Sequence, residues 1–254
     1  MYKILANTLF LGKDIHFLPD CHSTNDMALQ ALRQKEATEG SIFITNHQTR
    51  GKGQRGNSWE TKPGENLTFS LVLQPKFLDL SEQFLLNMAI SNAIRRCFQE
   101  YVPGLLVKWP NDLVIPGFGK IGGILIENLV GSKGWEYAVV GIGLNINQNQ
   151  FASPKATSLS LITGNTYPLE ELFKLLVAHL EQAYIALKKG KNTVLTQEYL
   201  QHLYLIEKWA VFKVGEQELE GKIIGLTEIG NLLLELPSGR QQSFGIKEIS
   251  FPNF

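Results

Sequence analysis

The sequence predicts an α+β domain with a mixed, largely antiparallel sheet, followed by a small all-β domain. Three observations carry that expectation. Segments with apolar residues at helical spacing lie over about Ser23–Lys35, Glu82–Glu100, Leu169–Lys188 and Asn192–Tyr204. Between them stand apolar runs of strand length with links too short for parallel crossovers, which favours antiparallel neighbours. From Trp209 onward, short strands alternate with Gly215-Glu216, Glu228-Ile229-Gly230 and Ser238-Gly239 turns, the pattern of a small barrel or meander.

In chain order, Asp14–Leu18 reads as a short strand, and Ser23 or Thr24 can cap the first helix, with Met27, Ala28, Leu29 and Leu32 as its apolar positions. Ser41–Thr45 is β-like and opens into Asn46–Ser58, which is polar and rich in glycine. Asn66–Leu73 is a further strand. In Glu82–Glu100, residues Phe84, Leu85, Met88, Ala89, Ala93, Ile94 and Cys97 fall on adjoining helical faces. Strands are then expected at Leu105–Lys108, Asp112–Ile115, Lys120–Leu129 and Tyr137–Ile146. The two later helices precede the terminal strands Ala210–Val214, Glu218–Leu226, Asn231–Leu236 and Gln241–Phe244. We divide the chain at residues 1–206 and 207–254. So small a terminal unit is marginal alone and is expected to pack against the larger one.

Composition narrows the function. The 254 residues are 44% hydrophobic and 19% charged, ordinary for a globular chain with a sizeable core. Lysine plus arginine equals aspartate plus glutamate, 24 each, so the basic surplus of a dedicated nucleic-acid binder is missing. Cys21 and Cys97 make no disulfide framework or Cys-x-x-Cys site. The first residues lack a signal-peptide pattern, and no apolar stretch is long enough to span a membrane. A soluble cytoplasmic protein that engages neither DNA nor membrane is the expectation. The histidines at 16, 22, 47, 179 and 202 show no ligand spacing.

Five segments carry chemistry. Gln48 to Trp59 alternates Gly51, Gly53 and Gly56 with Lys52, Gln54 and Arg55; such a loop can bring backbone N–H groups close to an anion, or be a mobile surface loop. Its spacing is not that of a P-loop. Lys108-Trp109-Pro110-Asn111-Asp112 sets an aromatic wall beside an amide and a carboxylate suited to a Mg²⁺-bound triphosphate, and is also good turn chemistry. Gly119-Lys120-Ile121-Gly122-Gly123 brings a lysine into a strand weakened by glycines, which suits an anion site or a β-bulge. Gly141 and Gly143 share one strand face, as a floor for a flat ligand or as packing space for bulky neighbours. Ser23-Thr24-Asn25 can cap a helix or meet a polar head group.

The order of these motifs resembles that of the biotin–protein ligase family, with Lys-Trp-Pro-Asn-Asp the most specific of them. Direct resemblance runs from about Asp14 to Leu159. It implies a class II synthetase-like catalytic domain and a C-terminal SH3-like β-barrel, ATP and Mg²⁺ as requirements, biotin as substrate, and a biotin carboxyl carrier protein as acceptor. By resemblance, Ser23, Thr24, Asn25, Gln48, Gly51, Lys52, Gly53, Gln54, Arg55, Trp59, Lys120, Gly122, Gly123, Gly141 and Gly143 meet biotin. Lys52, Arg55, Lys108, Trp109, Asn111, Asp112, Lys120 and Asn145 serve ATP, Asp112 holds the metal, and Lys120 and Arg55 are catalytic. The best-known form of the loop is richer in arginine; Lys52 keeps the charge of one, while Gln54 and Asn57 lose it. With family-like sequence beginning so early, no N-terminal DNA-binding domain and no repressor role are expected, whereas a homodimer through sheet edges is compatible. Lipoate or octanoate ligases share the adenylation logic, but their Arg-Arg-x-x-Gly-Gly-Gly run is absent. A protein that only sequesters biotin or its adenylate is the non-catalytic alternative.

Overall fold

The structure, a computed structural model, describes residue 5, residues 7–132 and residues 134–252, and of Arg55 the backbone alone. Strand β1 (Ile15–Cys21) leads into α1 (Thr24–Gln34), which stops where Lys35 turns left-handed. Next come β2 (Ile42–Gln48) and a two-stranded hairpin, β3 (Gly51–Lys52) and β4 (Ser58–Trp59), linked through a 3-10 turn at Gln54–Gly56. β5 (Asn66–Leu73) and α2 (Gln83–Phe98) precede the meander β6 (Leu106–Lys108), β7 (Asp112–Ile115), β8 (Gly119–Gly131) and β9 (Gly134–Asn145). Helices α3 (Leu159–Thr163), α4 (Leu169–Lys188) and α5 (Asn192–Gln201) follow. The chain ends in β10 (Trp209–Val214), β11 (Gln217–Leu226), β12 (Leu232–Glu235) and β13 (Gln241–Phe244).

Seven strands form one sheet in the order β1-β2-β5-β9-β8-β7-β6. The β1–β2 pair is parallel, with α1 as its crossover, and the other pairs are antiparallel. The period of two along β5 separates the sheet's faces. Leu67, Phe69, Leu71 and Leu73 enter the main core with α2 and α4, where Phe69 meets Phe173 edge-on at 5.2 Å. Asn66, Thr68, Ser70 and Val72 point to the opposite face. There Val72, Phe43 and Val139 pack against Ala28 and Ala31 of α1 in a smaller cluster. Since α1 covers only part of that face, the rest is open for a site.

The terminal strands form a four-stranded antiparallel sheet, β10-β11-β12-β13. Phe212, Ile223, Leu232, Leu234 and Phe244 from it join the same apolar cluster as the larger sheet, so the expected docking is observed. A hydrogen bond crosses the division: Trp109 Nε1–H donates to Gly230 O at 2.9 Å. Gly230 has φ +86°, and a Cβ there would lie 2.2 Å from Phe84 Cγ. Only glycine permits so close an approach.

Most expected elements are present with shifted ends. Ser23 does occupy the N-cap of α1, but its side chain makes no capping bond. Instead Gln48 Oε1, from β2, accepts the Thr24 N–H at 2.7 Å. The short α3 was not foreseen, because five residues are too few to show periodicity; Ser158 Oγ caps it by accepting from Leu161 N at 3.2 Å.

Candidate active site

Cross-strand register builds the floor of the site. Thr68 on β5 opposes Gly143 on β9, Gly143 opposes Gly123 on β8, and Gly123 opposes Asp112 on β7. Directly opposed residues share a face, so one transverse row runs hydroxyl, glycine, glycine, carboxylate. The next row is Ser70, Gly141 and Leu125. Above these rows lies a cleft of about 300 Å³, walled by the start of α1, the β3–β4 hairpin, the β6–β7 turn and residues Ile249, Ser250 and Phe251.

At the α1 end the polar groups are neutral and bonded to one another. Gln48 Oε1 accepts from both the Thr24 N–H and the Thr24 hydroxyl, at 2.7 and 3.1 Å. The Ser70 hydroxyl lies 2.7 Å from Thr24 Oγ1 and 2.6 Å from Asn25 Oδ1. Asn25 Nδ2 donates to Glu127 Oε2 at 2.7 Å, which fixes the amide's orientation. Among the described residues lining the cleft, two buried polar atoms lack a partner, Trp59 Nε1 and Thr68 Oγ1. A polar ring seated here would find a donor and a hydroxyl waiting.

The opposite end is charged. Lys120 Nζ pairs with Asp112 Oδ1 at 2.6 Å, the two side chains about a third exposed, and sits 5.7 Å from the Trp59 ring centre. The Lys120 backbone is clamped on both sides: its N–H donates to Lys155 O at 2.7 Å and its carbonyl accepts from Thr157 N at 2.9 Å. Lys108 Nζ lies 5.3 Å from the Phe251 ring centre. Burial holds Lys108 below the usual lysine value; Asp112 opposes that shift, and Lys155 and Lys120 add to it. On the hairpin, Lys52 Nζ meets Asp26 Oδ1 of α1 at 2.5 Å, so the loop is tied down over the α1 end.

The structure brings most of the expected residues to this cleft. Ser23, Thr24, Asn25, Gln48, Lys52, Gly53, Gln54, Trp59, Lys108, Trp109, Asn111, Asp112, Lys120, Gly123, Gly141 and Gly143 all line it. The Arg55 side chain lies outside the described residues. Three others do not line the cleft. Gly51 lets the hairpin close on β2, since a Cβ there would sit 2.3 Å from Trp59 O and 2.8 Å from Gln48 Nε2. Gly122 sits under Leu144. Asn145 is covered by the returning segment, with Nδ2 donating to Thr157 O at 2.9 Å; that position supports the clamp on Lys120 rather than reaching the cavity. Of the two readings of Gly141 and Gly143, packing space for bulky neighbours is the one observed. A Cβ at Gly141 would fall 2.4 Å from Asn25 Oδ1, and one at Gly143 2.4 Å from the Trp59 indole. The glycines make room for those two side chains, which line the cleft themselves.

Sequence reasoning missed Thr68, Ser70, Glu127 and the Ile249–Phe251 segment. The first two had a signal: in Asn66-Leu67-Thr68-Phe69-Ser70-Leu71, polar residues alternate through a wholly buried strand. The C-terminal segment had none, because only folding brings it against Lys108.

Residues 18–145 match the model of the biotin/lipoate A/B protein ligase family. The chain belongs to that family. This ligase is 28% identical over 228 residues to the biotin–[acetyl-CoA-carboxylase] ligase of Paracoccus denitrificans, a match covering 86% of this chain and 94% of the relative. It is 26% identical over 236 residues to the bifunctional ligase/repressor BirA of Escherichia coli strain K12, covering 88% and 70%. Its fold is similar to the biotin protein ligase from Aquifex aeolicus solved in complex with biotin and ATP, with TM-score 0.78, 23% identity, and 95% of this chain and 100% of that chain covered. Among the described residues, no helix of the ligase is long and apolar enough to cross a membrane.

Proposed function

We propose that the protein is an ATP-dependent biotin–protein ligase that makes biotinyl-5′-AMP and passes biotin to a lysine of a biotin carboxyl carrier protein. What carries the reading is one cleft with a neutral hydrogen-bonding end and a cationic end, which suits a polar ring whose carboxylate meets a nucleotide. In the first step a biotin carboxylate oxygen attacks the α-phosphorus, the α–β bridging bond breaks, and pyrophosphate leaves with the electron pair. Both reactants are anions, so alignment and positive charge matter more than proton transfer. Lys120, between the glycine rows and Asp112, is the group assigned to that charge, with Lys108 on the nucleotide side. In the second step a neutral lysine amine attacks the acyl carbon. The C–N bond forms, AMP leaves with the electrons of the broken C–O bond, and the amine proton passes to water.

Asp112 is the one carboxylate lining the cleft among the described residues, and no cluster of three acidic, histidine or cysteine residues lies among them. A single carboxylate fits a magnesium ion that arrives on the triphosphate and keeps phosphate and water ligands; the ion would neutralise phosphate charge as a Lewis acid. We assign residues 1–206 to the catalytic unit and 207–254 to an SH3-like unit that closes the nucleotide end through Phe251.

ATP–pyrophosphate exchange, run with biotin, lipoate, octanoate or no acid, tests the reading. Exchange with biotin alone is expected. Exchange with lipoate or octanoate instead would move the substrate to the other branch of the family, and biotin binding without exchange would favour a sequestering protein.

A further inference from the structure

A second cavity of about 180 Å³ opens beside the catalytic cleft and shares Gln54, Pro110 and Ile124 with it. Its apolar wall comes from both sheets: Phe84 and Ile126 on one side, Ile229 and Ile246 on the other. Ile229, between β11 and β12, is 58% exposed, and Ile246, after β13, is 37% exposed; with Phe84 and Ile126 they make one apolar wall. None of its described lining residues is charged, and the polar ones, among them Gln83 and Asn87, are amides. Asn87 is buried, 7% exposed; its Nδ2 donates to Pro110 O at 2.5 Å, while Oδ1 has no partner among the described residues.

Among the described residues no cation lines the cavity, as a second nucleotide or phosphate subsite would use. Its chemistry suits an uncharged segment of polypeptide: an apolar side chain for the wall, and a backbone N–H for the unpaired Asn87 Oδ1. The position says which polypeptide. The acceptor lysine must reach the acyl carbon inside the cleft, so the residues flanking it must rest on the rim, where this cavity shares Gln54, Pro110 and Ile124 with the cleft. We propose that the cavity seats an apolar residue next to the target lysine of the acceptor protein, so that the terminal sheet helps select the acceptor. The inference rests on the ligase reading above.

The test uses the full chain with Ile229→Asp and Ile246→Lys, two exposed positions carrying opposite new charges. Three rates are compared: ATP–pyrophosphate exchange with biotin, trapping of activated biotin by hydroxylamine, and biotin transfer to an apo carrier domain. In both variants the first two rates are expected to stay within twofold while kcat/KM for the carrier falls at least tenfold, mainly through KM. Unchanged transfer, or an equal fall in all three rates in both variants, would overturn the proposal. Absence of exchange in the unmodified protein would overturn the ligase reading instead, and is distinguishable because it appears before any substitution.

Discussion

At the α1 end of the cleft the hydrogen-bonding side chains Gln48, Thr24, Ser70 and Asn25 are uncharged and held by one another, and the Glu127 carboxylate, outside the cleft lining, accepts from Asn25. At the β7 end the groups are charged and held in ion pairs, Lys120 with Asp112 above all. A mutually bonded network on a helix start and three strands is rigid before a ligand arrives, so it can select shape. An ion pair about a third exposed is screened by water and exchangeable: a phosphate or carboxylate can take Lys120, and a cation can take Asp112. One end is thus prepared for recognition and the other for a change of partners during reaction.

The largest expected effect breaks the charged end. Lys120→Ala should lower ATP–pyrophosphate exchange by on the order of 100-fold, as loss of a preorganised electrostatic contact does, with thermal stability nearly unchanged. Exchange within threefold of the parent would show that this end does not stabilise the transfer. Next, Gly141→Ala should disturb only the neutral end, because its new Cβ would fall 2.4 Å from Asn25 Oδ1. Displacing that amide leaves buried polar groups unpaired at a cost of about 1–3 kcal/mol, so KM for biotin should rise about tenfold or more while KM for ATP holds. A parallel rise in both would mean that the two ends are not separable.

Smaller effects sharpen the same contrast. Burial depresses the Lys108 pKa, so its charged form is lost as pH rises through a value below that of an ordinary lysine. The exchange rate should therefore fall on an early alkaline limb, and Lys108→Arg should move that limb upward, because a guanidinium does not titrate there. An unmoved limb assigns it to another group. The smallest change is expected from Asp26→Asn, which frees Lys52 from an exposed pair worth at most about 1 kcal/mol. KM for biotin should rise less than about fivefold, and added salt should mimic the effect in the parent protein but not in the variant. A larger loss would make the hairpin tie central to the neutral end.

Much of this was legible because the local chemistry is strong. Lys120 beside two glycines and the Lys108–Asp112 run both announce an anion site, and both line the cleft. Asn145, placed at the nucleotide by resemblance alone, does not line it, because the 155–157 segment folds over it and only long-range packing could reveal that cover. Gly141 and Gly143 by themselves read as packing space before a floor, and which neighbours fill it depended on Asn25 and Trp59 arriving from elsewhere in the chain.

Local sequence carries the periodicities, and hence the helices, the strands and the alternation that sets Thr68 and Ser70 on the face opposite the main core. It also determined which motifs carry charge. Only the tertiary structure decided the register that aligns Thr68, Gly143, Gly123 and Asp112 in one row, the use of Gln48 as the cap of a helix it precedes neither in sequence nor in strand, and the placement of Phe251 against Lys108. The physical reason is range. Periodicity and turn chemistry act between near neighbours, whereas register, capping across elements and the closing of a cleft are set by which distant surfaces bury one another best.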